Sequence, residues 1–358
     1  MNTDKCIEAP CLEIRGRKIG AGHPTYIIAE MSANHGQDLA QAKEIVRAAK
    51  TAGADAIKLQ TYTPDTLTLD LKTPDFQIGE GTLWAGKNLY ALYAEAYTPW
   101  EWQPELKKLA EELGMDCFST PFDFSAVDFL EDMQVPAYKI ASFELVDLPL
   151  IRRVATTGKP TIMSTGMASL AEIDDAVRAF RGAGGKLLAL LKCTSAYPSS
   201  PTDMHLRTIP HLGAAFGVPV GLSDHTLGVS VPVAAVALGA CVVEKHFTLS
   251  RTVPGPDSAF SLEPSEFREM VDAIRVAEAA LGRVNYQISA KEAASRVFRR
   301  SLFVVRDIEA GELVTEANIR SVRPGLGLPP KYWNQVIGKR ATRAIKRGTP
   351  LAWELLGG

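Results

Sequence analysis

Eight short apolar runs, each followed by a stretch of helical periodicity, recur between residues 25 and 248. They are TYIIAEMS (25–32), DAIKLQT (55–61), DCFSTPF (116–122), AYKIAS (137–142), PTIMSTG (160–166), KLLALLKCTS (186–195), PVGLSDH (219–225) and CVVEKHFT (241–248). Their length and β-branched content predict strands, and the stretches between them, such as LAQAKEIVRAAKTAG and SLAEIDDAVRAFRGAG, predict amphipathic helices. Eight β-then-α repeats predict a TIM (β/α)8 barrel. One interruption, residues 63–97, is rich in turn residues and aromatics. A loop of that length after a barrel strand is expected to form a wall of the active site.

The last two runs carry a histidine each, His225 and His246, at their ends. A crossover helix between parallel strands returns both to the same edge of the sheet, where barrels bind ligands. A lone histidine there would most simply cap its strand by hydrogen bonding. Two of them beside Ser223, Asp224, Glu244 and Lys245 point to a metal, because a strand buried on both faces is otherwise apolar.

The other strand ends are polar too: Glu30 and Ser32 on the first, Lys58 and Gln60 on the second, Ser119 and Thr120 on the third, Lys139 and Ser142 on the fourth. Ser164 and Thr165 follow on the fifth, and Lys192, Thr194 and Ser195, with Tyr197 beyond, on the sixth. Every strand is thus expected to contribute, since an unpaired charge is costly to bury without a purpose. Two lysines, Lys58 and Lys139, with the hydroxyls of Ser119, Thr120, Ser142, Ser164 and Ser223, make a phosphate and carboxylate site. His225 and His246 with Glu30 could hold a divalent cation with open positions, of the Mn2+ or Co2+ kind rather than Ca2+. A Lewis acid beside a phosphate pocket suits carbon–carbon bond formation onto an aldehyde, and metal-assisted hydrolysis uses similar parts.

At 358 residues the chain exceeds one barrel. The pattern breaks into polar residues around 286–294, which divides the chain into a barrel (1–283), a linker (284–298) and a small C-terminal domain (299–358). In that domain, residues 301–324 read as strand, turn and short helix. So small a unit is expected to have a sparse core and to dock on something larger. From Arg283 onward fourteen Lys and Arg stand against six Asp and Glu, an excess of +8, which leaves −10 on the first 282 residues of a chain whose net charge is −2. Without interleaved aromatics, a basic tail is expected to meet an anionic small molecule or an acidic surface, not nucleic acid. Five scattered cysteines (Cys6, Cys11, Cys117, Cys193, Cys241) suggest neither a disulfide framework nor a zinc knuckle. No apolar run approaches the ~20 residues of a membrane span. A reducing cytoplasm is the expected location, with no membrane partner.

The segments AEMSANHG, AIKLQTYTPDTLTLD, STPFD, AYKIASFE, STGM, KCTSAYP, GLSDHT and EKHFTL, in this order and followed by VRPG, closely resemble the sialic acid (nonulosonate) synthase family over nearly the whole chain. The resemblance implies a TIM barrel with a C-terminal antifreeze-like (SAF, β-clip) domain, and a homodimer in which that domain covers the partner's site. It implies condensation of phosphoenolpyruvate with an N-acetylated amino sugar aldehyde, giving a nine-carbon 2-keto acid and phosphate. By motif, Lys58, Thr120, Lys139, Ser142, Ser164 and Ser223 would hold phosphoenolpyruvate, with Ser195 standing where the family has asparagine. Tyr197, Glu244 and Asp257 would bind sugar hydroxyls, and Arg323, in VRPG, would reach the acylamino group from the partner subunit. His225 and His246 would bind the metal, Mn2+ or else Co2+ or Mg2+, and Glu30 would be the acid/base group. SANH after the first strand resembles the branch whose acceptor is a 2,4-diacetamido-2,4,6-trideoxy-altrose, and the neuraminate and legionaminate branches share most other motifs. Two other readings use the same residues: a Schiff-base aldolase with Lys139 as nucleophile, and a sugar-sensing barrel without catalysis.

Overall fold

The computed structural model describes residues 10–81 and 83–357; Cys6 lies outside the described residues, as do residues 1 and 358, the outer bounds of the expected barrel and C-terminal domain. A hairpin, β1 (Cys11–Ile14) and β2 (Arg17–Gly20), precedes eight parallel strands: β3 (Tyr26–Glu30), β4 (Ala56–Thr61), β5 (Asp116–Pro121), β6 (Tyr138–Ile140), β7 (Thr161–Ser164), β8 (Leu188–Cys193), β9 (Val220–Asp224) and β10 (Val242–His246). They form a closed barrel in chain order, β10 pairing with β3 in the register Val242↔Tyr26 to His246↔Glu30. The eight expected strands are therefore the eight observed ones.

The helices follow from their caps and apolar spacing. In Leu39–Thr51, Asp38 accepts hydrogen bonds from the Ala40 and Gln41 amides, and Ala42, Ile45, Val46 and Ala49 form the buried stripe. Ser169 and Glu172 box the start of Leu170–Gly182. The hairpin covers the N-terminal end of the barrel: Leu12, Ile14 and Ile19 are buried in one cluster with Tyr26, Phe118 and Tyr138. Among its described residues, insertion 63–97 contains the short helices Pro64–Leu67 and Leu89–Ala96 with a 3-10 turn, Pro74–Phe76, between them, and Trp84 Nε1 donates to Pro256 O at 2.9 Å. Among the described residues, no helix is long and apolar enough to cross a membrane.

The chain divides into two compact units, Met1–Gly282 and Arg283–Gly358. In the second, β11 (Ser301–Val304) pairs antiparallel with β12 (Ile319–Val322), and β13 (Arg340–Ala341) with β14 (Leu356–Gly357). Two expectations are corrected here. Residues 319–322 form a strand where a short helix was expected. The unit also has a core of its own, since Leu302, Val304, Ile308, Val314, Ile319, Val336, Ala341, Ile345, Leu351 and Leu355 bury one another among the described residues. Its small size therefore gives no argument for docking. The expected linker contains a helix, Ala290–Ser295, started by a Ser289/Glu292 capping box despite its lack of an apolar stripe.

Candidate active site

A cavity of about 490 Å3 opens at the C-terminal ends of the strands. Side chains alternate across a strand, so the polar residues of the strand ends fall into two sets. Glu30, Lys58, Gln60, Lys139, Ser164, Ser223, His225, Glu244 and His246 line the cavity, joined by Ser142, Tyr197 and Asp257 from the loops. Ser32 lines it as well, while Ser119, Thr120, Thr165, Lys192, Thr194 and Ser195 do not, so the third and sixth runs reach the cavity through Phe122 and Cys193 instead of the polar residues expected there. Lys192 Nζ donates to Cys193 O at 2.7 Å and Thr194 Oγ1 at 3.1 Å, and Ser119 Oγ pairs with Thr61 Oγ1 at 2.6 Å. Thr120, wholly buried, accepts from Lys58 Nζ at 3.2 Å, so it supports the lysine from behind.

Two buried ammoniums form the floor. Lys58 Nζ lies 2.5 Å from Glu30 Oε2 and 3.8 Å from Glu244 Oε1. Lys139 Nζ donates to Ser164 Oγ at 2.7 Å and Ile140 O at 3.1 Å, and lies 3.8 Å from the same Glu244 Oε1. The two carboxylates diverge in consequence. Burial works against ionisation of both, but Lys139 and Lys58 together hold Glu244 below its ordinary value. Burial pushes Glu30 up to about 7, with Lys58 opposing and Glu244 adding to the rise. Burial also drives Lys139 below its ordinary value, whereas for Lys58 the two carboxylates overcome burial and raise it. Beside the lysines, the Gly166 amide donates to Ser142 Oγ at 3.1 Å. A Cβ at Gly166 would overlap Ser142 Oγ and Ser195 Oγ, so glycine is what leaves room for both hydroxyls there, although Ser195 itself is not part of the cavity lining.

The histidines come together with ring centroids 5.4 Å apart. His225 Nδ1 lies 2.9 Å from Thr194 O, which assigns the proton to Nδ1 and leaves Nε2 as an acceptor. His246 Nδ1 is buried without a partner, and burial, followed by the charge of His225, keeps its imidazole well below the ordinary value. Burial works against protonation of His225 as well, but Cys193 and the Thr194 carbonyl raise it above the ordinary value, so a divalent cation fits His225 Nε2 and His246 Nδ1 once the His225 ring gives up its second proton. Glu30 does not join them as a ligand: its Oε2 faces Lys58 and its Oε1 accepts from Gln60 Nε2 at 2.9 Å. Among the described residues no three His, Cys, Asp or Glu form a ready metal cage, so a cation here would take its remaining ligands from substrate and water.

Tyr197 packs on His225 and Phe260, with centroids 4.4 and 5.0 Å away. Asp257 accepts from Ser32 Oγ, and burial raises its carboxyl above the ordinary value. The insertion supplies an apolar wall of Leu67, Ile78, Trp84, Leu89, Leu92 and Tyr93. Arg323 belongs to the second unit, directly after β12. Sequence reasoning missed several lining residues, Tyr62, Phe122, Phe143 and Phe260 among them, and with them two groups that can carry charge. Glu144 lies in the turn Phe143–Val146, and burial pushes its carboxyl up to about 7. Cys193 lies 4.0 Å from His225 Nδ1; burial opposes ionisation of its thiol, yet His225 brings it to about 7. The acidic residue after AYKIAS was the available signal for Glu144; nothing in the sequence marked Cys193 out from the other cysteines.

The chain matches the NeuB family over residues 45–286 and the SAF domain over residues 299–357. It is 48% identical over 330 residues to a pseudaminic acid synthase of Helicobacter pylori, covering 92% of this chain and 97% of that one. A pseudaminic acid synthase of Campylobacter jejuni is 48% identical over 326 residues, 91% and 95% of the two chains. Among solved structures, the N-acetylneuraminic acid (sialic acid) synthetase of Leptospira borgpetersenii, in complex with citrate, superposes with a TM-score of 0.72 at 31% identity, over 80% of this chain and 95% of that one.

Proposed function

The chain belongs to the NeuB family of sialic acid synthases, and on that premise we propose that it is a pseudaminic acid synthase. It condenses phosphoenolpyruvate with the open-chain aldehyde of 2,4-diacetamido-2,4,6-trideoxy-β-L-altropyranose and water to give pseudaminic acid and phosphate. One juxtaposition supports this most: a floor of two buried lysines and serine hydroxyls facing an apolar wall across one cavity. The floor suits a phosphorylated carboxylate. The wall suits an acceptor that ends in a methyl group instead of a hydroxymethyl.

Phosphoenolpyruvate takes Lys58, Lys139, Ser142, Ser164 and Ser223, with Thr120 holding Lys58 in place and Ser195 beside Ser142. The arriving anion competes with Glu30 for Lys58, so Glu30 keeps the proton that burial already favours. As C3 of phosphoenolpyruvate bonds to the aldehyde carbon, Glu30 delivers that proton to the aldehyde oxygen. Water then adds at C2 and returns one proton to Glu30, and the C2–O bond to the phosphate breaks as the new C2 hydroxyl passes its proton to the departing phosphate, leaving the 2-keto group. His225 and His246 would hold a divalent cation, Mn2+ or else Co2+ or Mg2+, which would supply Lewis acidity at the acceptor carbonyl. Glu244, whose Oε2 is buried without a partner, accepts from a sugar hydroxyl, alongside Tyr197 and Asp257. Arg323 meets the acylamino group from the partner subunit of a domain-exchanged homodimer, its planar guanidinium suited to a carbonyl oxygen. The free thiols of Cys11, Cys117, Cys193 and Cys241 support a cytoplasmic location.

Phosphate release measured against a panel of N-acetylated hexoses tests the reading. The diacetamido altrose should react fastest, and a chelator should abolish the reaction until Mn2+ is restored. Faster turnover of N-acetylmannosamine, or full activity in the chelator, would overturn the acceptor or the metal respectively. Mixing Arg323→Ala with Glu30→Ala protein should restore activity after subunit exchange, and no recovery would place the tail over its own subunit's site.

A further inference from the structure

Asp224 and Lys245 form the most deeply buried ion pair among the described residues, with both side chains wholly excluded from solvent and Nζ 2.5 Å from Oδ2. They are register partners on β9 and β10, and they alternate with the cavity-lining Ser223, His225, Glu244 and His246. They therefore point to the outer face of the barrel, away from any substrate. The backbone ladder already joins these strands from Val242↔Gly221 onward. Among the described residues, no other pair of neighbouring barrel strands carries an ion pair on its outer face. Stability does not explain it, since a buried ion pair is often no better than an apolar pair of the same volume.

Its hydrogen bonds show what it constrains. The Asp224 carboxylate accepts from the Thr226 amide at 3.0 Å and from Thr226 Oγ1 at 3.1 Å. The Lys245 ammonium, besides its bond to Asp224, donates to the Thr226 carbonyl. The residues on both sides of His225 are thus tied to each other and to the residue preceding His246. His225 O accepts from the Ser199 amide at 2.9 Å, and its ring is held at Thr194 O. We propose that the Asp224–Lys245–Thr226 cluster is a positioning device for the metal site, fixing the separation of the two imidazoles from behind the barrel wall. The inference rests on the assignment of His225 and His246 as metal ligands.

The test uses the full-length protein stripped of metal and titrated calorimetrically with Mn2+, with kcat, KM for phosphoenolpyruvate and Tm measured in parallel. Two variants are compared with the parent. Asp224→Asn/Lys245→Met removes both charges at nearly constant volume, and Thr226→Val removes only one hydroxyl. The double variant should bind Mn2+ about tenfold to a hundredfold more weakly, as loss of groups supporting metal ligands does. Its kcat should fall too, with KM for phosphoenolpyruvate near that of the parent because Lys58 and Lys139 are untouched. Thr226→Val should shift affinity the same way by less, and it decides the question if the double variant does not fold. Parental Mn2+ affinity and kcat in the folded double variant, or in Thr226→Val where the double does not fold, overturn the inference alone. A parent that binds no Mn2+ overturns the metal assignment and this inference with it.

Discussion

The two ends of the barrel handle buried charge in opposite ways. At the N-terminal end each charge is matched: Asp55 bonds Arg17, accepts from the Ile27 amide at 2.9 Å, and lies 3.4 Å from Arg275. Glu278 accepts from the Thr25 amide and Arg275, and Tyr26 donates to Asp116 at 2.7 Å. At the C-terminal end the matching is left incomplete. Among the described residues, the buried side-chain atoms without a hydrogen bond belong to Glu30, Asn34, Asp123, Glu144, Glu244 and His246, all at or beyond the C-terminal part of a strand. Glu30 Oε2 is met only by the ion-pair approach of Lys58 Nζ at 2.5 Å. Unmet polar atoms cost stability, and four of these residues, Glu30, Glu144, Glu244 and His246, line the cavity, where binding can meet them, while the other end serves folding.

The contrast breaks most readily at Lys139. Lys139→Met should lower the rate on the order of a hundredfold or more, as loss of a group stabilising transition-state charge does, with little change in Tm. An equal collapse in Tm would mean that the lysine is structural. Next comes pH. Burial raises Glu30 from 4.5 to about 7, so an acid role gives activity that is full below that pH and falls about tenfold per unit above it. Glu30→Gln should abolish this limb; a limb that instead vanishes in Glu144→Gln would transfer the role. The same shift has a sign for stability: the folded carboxyl keeps its proton up to about 7 while the unfolded chain releases it near 4.5. Its contribution is therefore fully present below 4.5 and lost as pH rises through 7, and Glu30→Gln should flatten that slope in thermal melts.

Ile78→Ser in the apolar wall should narrow the preference for a 6-methyl over a 6-hydroxymethyl acceptor about tenfold, the scale of a small change in an apolar pocket. Unchanged discrimination would show that the wall does not touch that end of the sugar. The smallest effect on rate is expected at the opposite end. Asp55→Ala should cost about 1–3 kcal/mol of stability by stranding a strand amide and two arginines, with kcat unaltered. A fall in kcat there would show that the two ends are coupled.

The sequence by itself determined the order and kind of the barrel's elements, because strand length, helical period and caps are local properties that each segment carries alone. It also marked Lys58, Lys139, His225 and His246, since charged and imidazole side chains in apolar runs stand out wherever they point. It could not say which way they point. Lys139 and Lys245 read alike, yet one forms the cavity floor and the other is sealed behind the wall against Asp224. Thr120 and Ser164 read alike too, and only Ser164 meets the cavity. The side-chain phase of a strand is set by its register with both neighbours, and in a closed barrel that register is shared by all eight. The meeting of Ser32 with Asp257, or of one Glu244 oxygen with two lysines, is likewise a product of closure. In the tail the same limit hid β12, whose four residues become a strand by pairing with β11 from Ile319↔Val304 to Val322↔Ser301. Pairing across the chain is a tertiary event, and a short segment's own propensity is too weak to announce it.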